Sequence, residues 1–160
     1  MLYLDFDGVL HPDAVYRYRR QGIVLCSPGR ALFDAALPLA AELARHPDVR
    51  IVLSTSWVRV LSYSVALARL PSPLADRVIG ATWHSHMHRE WWYGLTRFQQ
   101  IAAHAARHEV KNWVAIDDDA EGWPAEHLGH LVHTDSDTGI TAPDLALLAA
   151  ALKQATGYVA

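Results

Sequence analysis

Met1-Leu2-Tyr3-Leu4-Asp5-Phe6-Asp7-Gly8-Val9-Leu10 opens the chain, and the fold is decided by how this stretch is read. Its first four residues form a short apolar run of the kind a buried strand uses, and the run stops at Asp-x-Asp-Gly, where charge and turn chemistry end it. The same pattern returns twice: Ile51-Val52-Leu53 leads into Ser54-Thr55-Ser56, and Val114-Ala115-Ile116 leads into Asp117-Asp118-Asp119. Working outward, the spacing predicts strands at Met1–Leu4, Arg50–Leu53, Arg77–Ile79, Trp113–Ile116 and His130–Val132. It predicts helices over Arg30–His46, Val58–Leu70, Leu95–His108 and Leu145–Thr156, the last opened by Thr141-Ala142-Pro143-Asp144. Strands alternating with helices imply a parallel sheet covered on both faces, a three-layer α/β Rossmann-like domain. The stretches His11–Gly29 and Gly80–Gly94, rich in Pro, Gly, His or aromatics, read as functional loops or small lids.

Length and composition narrow the classes. A chain of 160 residues, about half of them apolar, suits one domain spanning 1–160 with a real core. There is no internal repeat, low-complexity tract or Gly/Ser linker to divide it. A net charge of -3 gives no global attraction to nucleic acid or anionic membrane, although it allows a local basic patch. The single cysteine, Cys26, cannot form an intramolecular disulfide, which makes a reducing, cytoplasmic setting the expectation. No run approaches the ~20 apolar residues of a membrane span, and the first residues do not read as a signal peptide.

In an open parallel sheet the carboxyl ends of the strands share one edge, and ligands bind in the crevice outside it. Asp5 and Asp7, Ser54 to Ser56, and Asp117 to Asp119 should therefore converge despite their separation in sequence. Several carboxylates in one crevice repel one another unless a cation neutralises them. An all-oxygen donor set favours magnesium, which takes one or two carboxylates together with water and substrate phosphate. Each segment has a plainer reading on its own: Asp-x-Asp as a turn, Asp119 as a helix or turn cap, the hydroxyls as ordinary strand-end residues.

Taken together, Leu2-Tyr3-Leu4-Asp5-Phe6-Asp7-Gly8-Val9-Leu10, Ile51-Val52-Leu53-Ser54-Thr55 and Val114-Ala115-Ile116-Asp117-Asp118 resemble the first, second and fourth motifs of the haloacid-dehalogenase-like (HAD) superfamily. Thr55-Ser56-Trp57 and Thr138-Gly139-Ile140-Thr141 look most like the small HAD domains that accompany RNA-repair modules. The resemblance implies a five-stranded parallel sheet in which the predicted strands run in the order fifth, fourth, first, second, third, with a minimal cap or none. It implies that Asp5 is a phosphoryl-accepting nucleophile and that Asp7 is the general acid/base, its carbonyl contributing to the metal. By the same resemblance Thr55 contacts the phosphoryl group, with Ser54 as the alternative one residue away; Asp118 ligates the metal directly, and Asp117 supports the metal or the third-motif cation. The activity implied is a magnesium-dependent phosphatase acting through an aspartyl-phosphate.

That third motif is usually a lysine, and here Lys111 and Lys153 fall in the wrong regions. Arg97, near the start of the Leu95–His108 helix, stands at the expected place, with Arg59 and Arg89 as the alternatives. Trp57, Trp83 and Trp123 follow strand ends, where they rim the crevice or plug the core. His11 is a substrate contact or a turn residue. His84-x-His86-x-His88 is a zinc set or a polar loop. Ser54, Ser56, Trp57, His11 and Trp83 are thus the candidate substrate contacts. An uncapped site suits a large substrate, a nucleotide or a nucleic-acid end, ahead of another small phosphoester. A cation- or partner-binding module without catalysis is the rival of a different class. A phospho-receiver domain would need a lysine after the last strand, which is missing.

Overall fold

A computed structural model describes residues 1–157, with Thr156 by its backbone only; the last three residues of the expected 1–160 domain lie outside the described residues. Five strands, β1 (Leu2–Leu4), β4 (Ile51–Leu53), β5 (Val78–Ala81), β6 (Val114–Asp117) and β7 (Leu131–His133), form an all-parallel sheet in the order β5-β4-β1-β6-β7. This is the order the motif resemblance implied. Between β1 and β4 the chain forms an antiparallel hairpin of β2 (Val15–Tyr18) and β3 (Gly22–Leu25).

Side chains alternate across a strand, so Leu2 and Leu4 enter one face of the sheet and Tyr3 the other. The first face joins Ile51, Leu53 and Ile116 to Leu39 and Leu43 of α1 (Ala36–Leu43) and to Leu148 and Leu152 of α7 (Ala142–Thr156). The second joins Tyr3, Val52 and Ala115 to Ile101 and Ala105 of α6 (Arg97–Arg107), with Trp113 and Trp123. Each fully buried Leu or Ile contributes about 1.5–3 kcal/mol by transfer from water. Helices on both faces make the three-layer α/β architecture expected. Among the described residues, no helix is long and apolar enough to cross a membrane.

The helices depart from expectation where local chemistry interrupts a favourable pattern. The first begins at Ala36, well after Arg30, because Pro38 has no N–H and its ring excludes a helical carbonyl four residues earlier, so it fits only a first turn. Phe33, in the left-handed region at φ 63°, completes the break. The stretch expected as one helix, Val58–Leu70, is two: α2 (Ser56–Leu61) and α3 (Tyr63–Leu67). They part at Ser62, whose φ is 121° and whose hydroxyl caps Val65. Two short helices, α4 (Ser72–Ala75) and α5 (Arg89–Tyr93), occupy stretches left irregular by the periodicity. The start of α6 is well specified: Thr96 and Gln99 satisfy each other's backbone N–H groups in a capping box.

On the second face the Tyr3 hydroxyl and His104 Nδ1 share a hydrogen bond of 2.9 Å. Burial, helped by His108 and Arg107, lowers the His104 pKa from 6.5 to about 4. The fold therefore accepts the neutral ring. The stabilisation is complete above pH 6.5, the unfolded value, and is lost as pH falls toward 4. At about 1.4 kcal/mol per unit it amounts to at most about 3.5 kcal/mol. Chemical denaturation of the wild type and of His104→Gln between pH 7 and 4 should show the stability gap between them closing with acid; parallel profiles would remove His104 as the cause.

Candidate active site

Because the sheet is parallel, Asp5, Ser54, Thr55, Thr82, Asp117 and Thr134 all emerge at one edge, and all six are buried. The loop after β1 is shaped by Gly8, whose φ is +68° and whose absent Cβ would lie 2.1 Å from Asp118 Oδ2. Glycine thus serves twice there, permitting the left-handed turn and leaving room for the carboxylate. Thr134 Oγ1 donates to the Gly8 carbonyl at 2.7 Å, tying the loop to the end of β7.

Asp5 is held on both oxygens. Oδ1 accepts the Phe6 N–H at 2.8 Å, and Oδ2 accepts Arg97 Nη2 at 2.9 Å. Arg97 Nε faces Asp117 Oδ2 at 2.8 Å as an ion pair that lacks hydrogen-bond alignment. Of the three arginines considered for this position, Arg97 is the one in contact with Asp5. Arg59 lies over the Tyr93 ring, 4.1 Å from its centroid, and Arg89 is exposed at the start of α5. Burial alone would favour loss of the Arg97 proton, but Asp5 and Asp117 outweigh it and hold the guanidinium charged.

The acids are crowded. Burial, with Arg97 only partly compensating, pushes Asp5 up; burial and the Asp5 charge push Asp117 well up, and the same two causes bring Asp118 to about 6. One guanidinium does not neutralise these three carboxylates and neighbouring Asp7. Asp5, Asp117 and Asp118 each present an oxygen within 4.8 Å of the others, the one such group of metal-ligand side chains among the described residues. This all-oxygen, under-neutralised cluster, with Gly8 leaving space for one member, fits a hard divalent cation. His84, His86 and His88 lie in an exposed or half-exposed loop outside that group.

Asp7 is clamped from behind. Trp57 Nε1 donates to its two carboxylate oxygens at 2.8 and 2.9 Å. His11 Nε2 lies 3.2 Å from Oδ1, while its Nδ1 accepts the Phe33 backbone N–H at 3.3 Å. A backbone amide can only donate, so in the neutral ring the proton sits on Nε2 and points at Asp7. His11 is fully buried and Trp57 is 3% exposed, stacked edge-on with Phe6 and Phe33. These positions correct the expectation that His11 and Trp57 touch substrate: both face Asp7, and neither has a free surface. The sequence spacing held one clue, since His11 follows Asp7 by four residues.

Thr55 caps α2 and accepts the Trp57 N–H at 3.3 Å; Ser54 is fully buried, its hydroxyl without a partner. Beside Thr55 and Arg97 opens a cleft of about 390 Å³ lined by Ser56, Arg59, Trp83, Tyr93, Thr96 and Glu121, among others. Trp83 and Ser56 therefore border the crevice as expected. Trp123 does not, being buried against Phe98 and Trp113. Asp119 sits at the cleft rim and accepts the Glu121 N–H, the turn role considered for it. Trp92, Tyr93 and Glu121 were not foreseen, because their approach to the crevice depends on the fold of the segment around α5.

No curated protein matches the chain. A family model described as the HAD domain in Swiss Army Knife RNA repair proteins matches residues 1–145. That span takes in the whole crevice from Asp5 to Thr134, and the chain belongs to this family of HAD domains.

Proposed function

We propose that the protein is a magnesium-dependent phosphohydrolase that transfers a phosphoryl group to Asp5 and then to water, acting on a nucleotide or on the terminal phosphate of a nucleic acid. The observation that carries this reading is the Asp5 carboxylate: buried at a strand end, fixed on both oxygens, and ringed by acids that a lone arginine leaves under-neutralised. A merely structural acid gains nothing from such surroundings. Asp5 attacks phosphorus and the ester oxygen departs, taking a proton from Asp7; Asp7 then accepts a proton from the water that cleaves the aspartyl-phosphate. Arg97 and the Thr55 hydroxyl stabilise charge on the phosphoryl oxygens, and Ser54 and Ser56 extend the hydroxyl lining.

Asp5, the Asp7 carbonyl, Asp118 and, in support, Asp117 would hold the magnesium, which when bound neutralises the charge of the acids and of the transferring phosphate. Chelation should abolish turnover, magnesium should restore it, and calcium, with its looser and higher coordination, should restore little. Full turnover of a phosphomonoester in rigorously metal-free buffer would reject this part of the reading.

His11 and Trp57 position Asp7. Trp57→Phe keeps the buried ring but removes the donor. Hydrogen bonds to charged groups are worth ~1.5–3 kcal/mol, so the variant should slow turnover by about 10–100-fold, most for esters with poor leaving groups, with little change in melting temperature. A uniform loss across leaving groups, tracking a lowered melting temperature, would assign Trp57 to packing alone.

The family's link to RNA repair and the Trp83, Tyr93 and Arg59 lining of the cleft support a base-bearing substrate, because aromatic and guanidinium faces stack on any base. The whole chain acts as one domain in this reading, α7 packing on β6 and β7. The exposed, unpaired thiol of Cys26 suits a reducing cytoplasm.

A further inference from the structure

We propose that the β2–β3 hairpin is a docking surface for a single-stranded nucleic acid whose end enters the Asp5 crevice; the inference rests on the phosphohydrolase reading for what happens to that end, and on its own observations for the binding. The hairpin rises from the catalytic loop itself. His11 contacts Asp7, Asp13 N–H donates to the Ser136 carbonyl at 2.8 Å, and Cys26 N–H donates to the Ala14 carbonyl at 2.7 Å, so its root is fixed beside the acids.

Its two faces differ. Cross-strand pairing puts Val15 opposite Leu25 and Arg17 opposite Ile23, and Val15 and Ile23 pack on the main core. The other face carries Tyr16 opposite Val24 and Tyr18 opposite Gly22, and the two tyrosines are 54% and 46% exposed. Rings two residues apart on a strand stand about 7 Å from each other on one face, open to two successive unstacked bases. Gly22, at φ +74°, closes the turn.

The charge is concentrated here against the chain's overall sign. Arg17, Arg19 and Arg20 are exposed, no acidic residue occurs between Asp13 and Asp34, and the protein as a whole is at -3. Among the described residues none of these three arginines has a carboxylate partner. Arg19 and Arg20, in the turn next to the exposed Tyr16 and Tyr18 rings, match a strand that offers phosphates and base faces together, while Arg17 leaves from the opposite face. An acidic peptide would use the arginines and leave the rings unused.

The test is binding of an unphosphorylated, fluorescein-labelled oligoribonucleotide of roughly 12 nucleotides, measured by anisotropy across a salt series. Lacking a terminal phosphate, this strand reports the hairpin even if the phosphatase reading fails. Tyr16→Ala/Tyr18→Ala should weaken binding at least about 10-fold. Arg19→Ala/Arg20→Ala should reduce the slope of log affinity against log salt by ~1.4, about 0.7 for each phosphate no longer neutralised. Photo-crosslinking of a 4-thiouridine strand to the unmutated chain, which needs no variant to fold, should give adducts between Val15 and Leu25. The proposal is overturned by absence of binding to the wild type, by equal affinity for a duplex or for a polyglutamate peptide, by variants that bind as wild type, or by adducts confined to other segments.

Discussion

Replacing Asp5 by asparagine is expected to reduce phosphatase turnover by on the order of 10⁴–10⁶-fold, the range typical of removing a catalytic nucleophile or its partner. The amide is close in shape, but its one acceptor oxygen can meet either the Phe6 N–H or Arg97 and not both, and it lacks the negative charge that attacks phosphorus. Stability should move the other way. Asp5 is buried among like charges, with its ionised form disfavoured, so at neutral pH it costs the fold free energy that asparagine relieves. The measurements are steady-state turnover of a phosphomonoester and thermal melting in metal-free buffer. Low activity together with a melting temperature equal to or above the wild type is the expected pair. Retained turnover would reject the nucleophile.

Arg97→Ala carries the second large effect. Its guanidinium spans Asp5 and Asp117, so its removal leaves two buried carboxylates without a counter-charge, a loss typically worth about 3–5 kcal/mol. In the proposed mechanism it also removes a donor to the developing phosphoryl charge, typically worth ~10²–10³ in turnover. The variant should be less active and less stable, and the stability loss should shrink as bound magnesium takes over part of the neutralisation. Arg97→Lys should recover part of both, as a point charge without the fork that spans two acids. Arg59→Ala, which disrupts the contact with Tyr93, should affect affinity for a base-bearing substrate more than turnover. If Arg59→Ala costs more turnover than Arg97→Ala, the cation of the site has been misassigned.

The sheet was legible because three strands end abruptly, apolar runs giving way to Asp5, Ser54 and Asp117 with no graded boundary, whereas the strand order was implied only by the resemblance of the motifs. The convergence of those residues follows from parallel topology alone. The flanking elements were less legible for local reasons. Pro38 and the left-handed Phe33 delay α1, and Ser62 divides a stretch whose apolar spacing reads as one helix. The hairpin eluded periodicity because Tyr-Arg-Tyr-Arg-Arg has no apolar face of its own, and its buried side is completed only by Ile23 and Leu25 across the turn. The preference for Arg97 over Arg59 and Arg89 came from the motif resemblance, and tertiary geometry brings that guanidinium to Asp5. His11 and Trp57 show the limit of the sequence: polar or aromatic residues beside a site read as substrate contacts, whereas here their donors turn inward to Asp7.

The central claim is that Asp5 becomes phosphorylated. The most direct measurement is mass spectrometry of the chain quenched in acid during turnover of a phosphomonoester with magnesium, followed by peptide mapping. The prediction is a transient species carrying one added phosphoryl group, localised to Asp5 in the Met1–Arg17 peptide, enriched in Asp7→Asn and missing from Asp5→Asn. Phosphate release by the wild type with the phosphoryl group on another residue, or an unchanged adduct in Asp5→Asn, would contradict it.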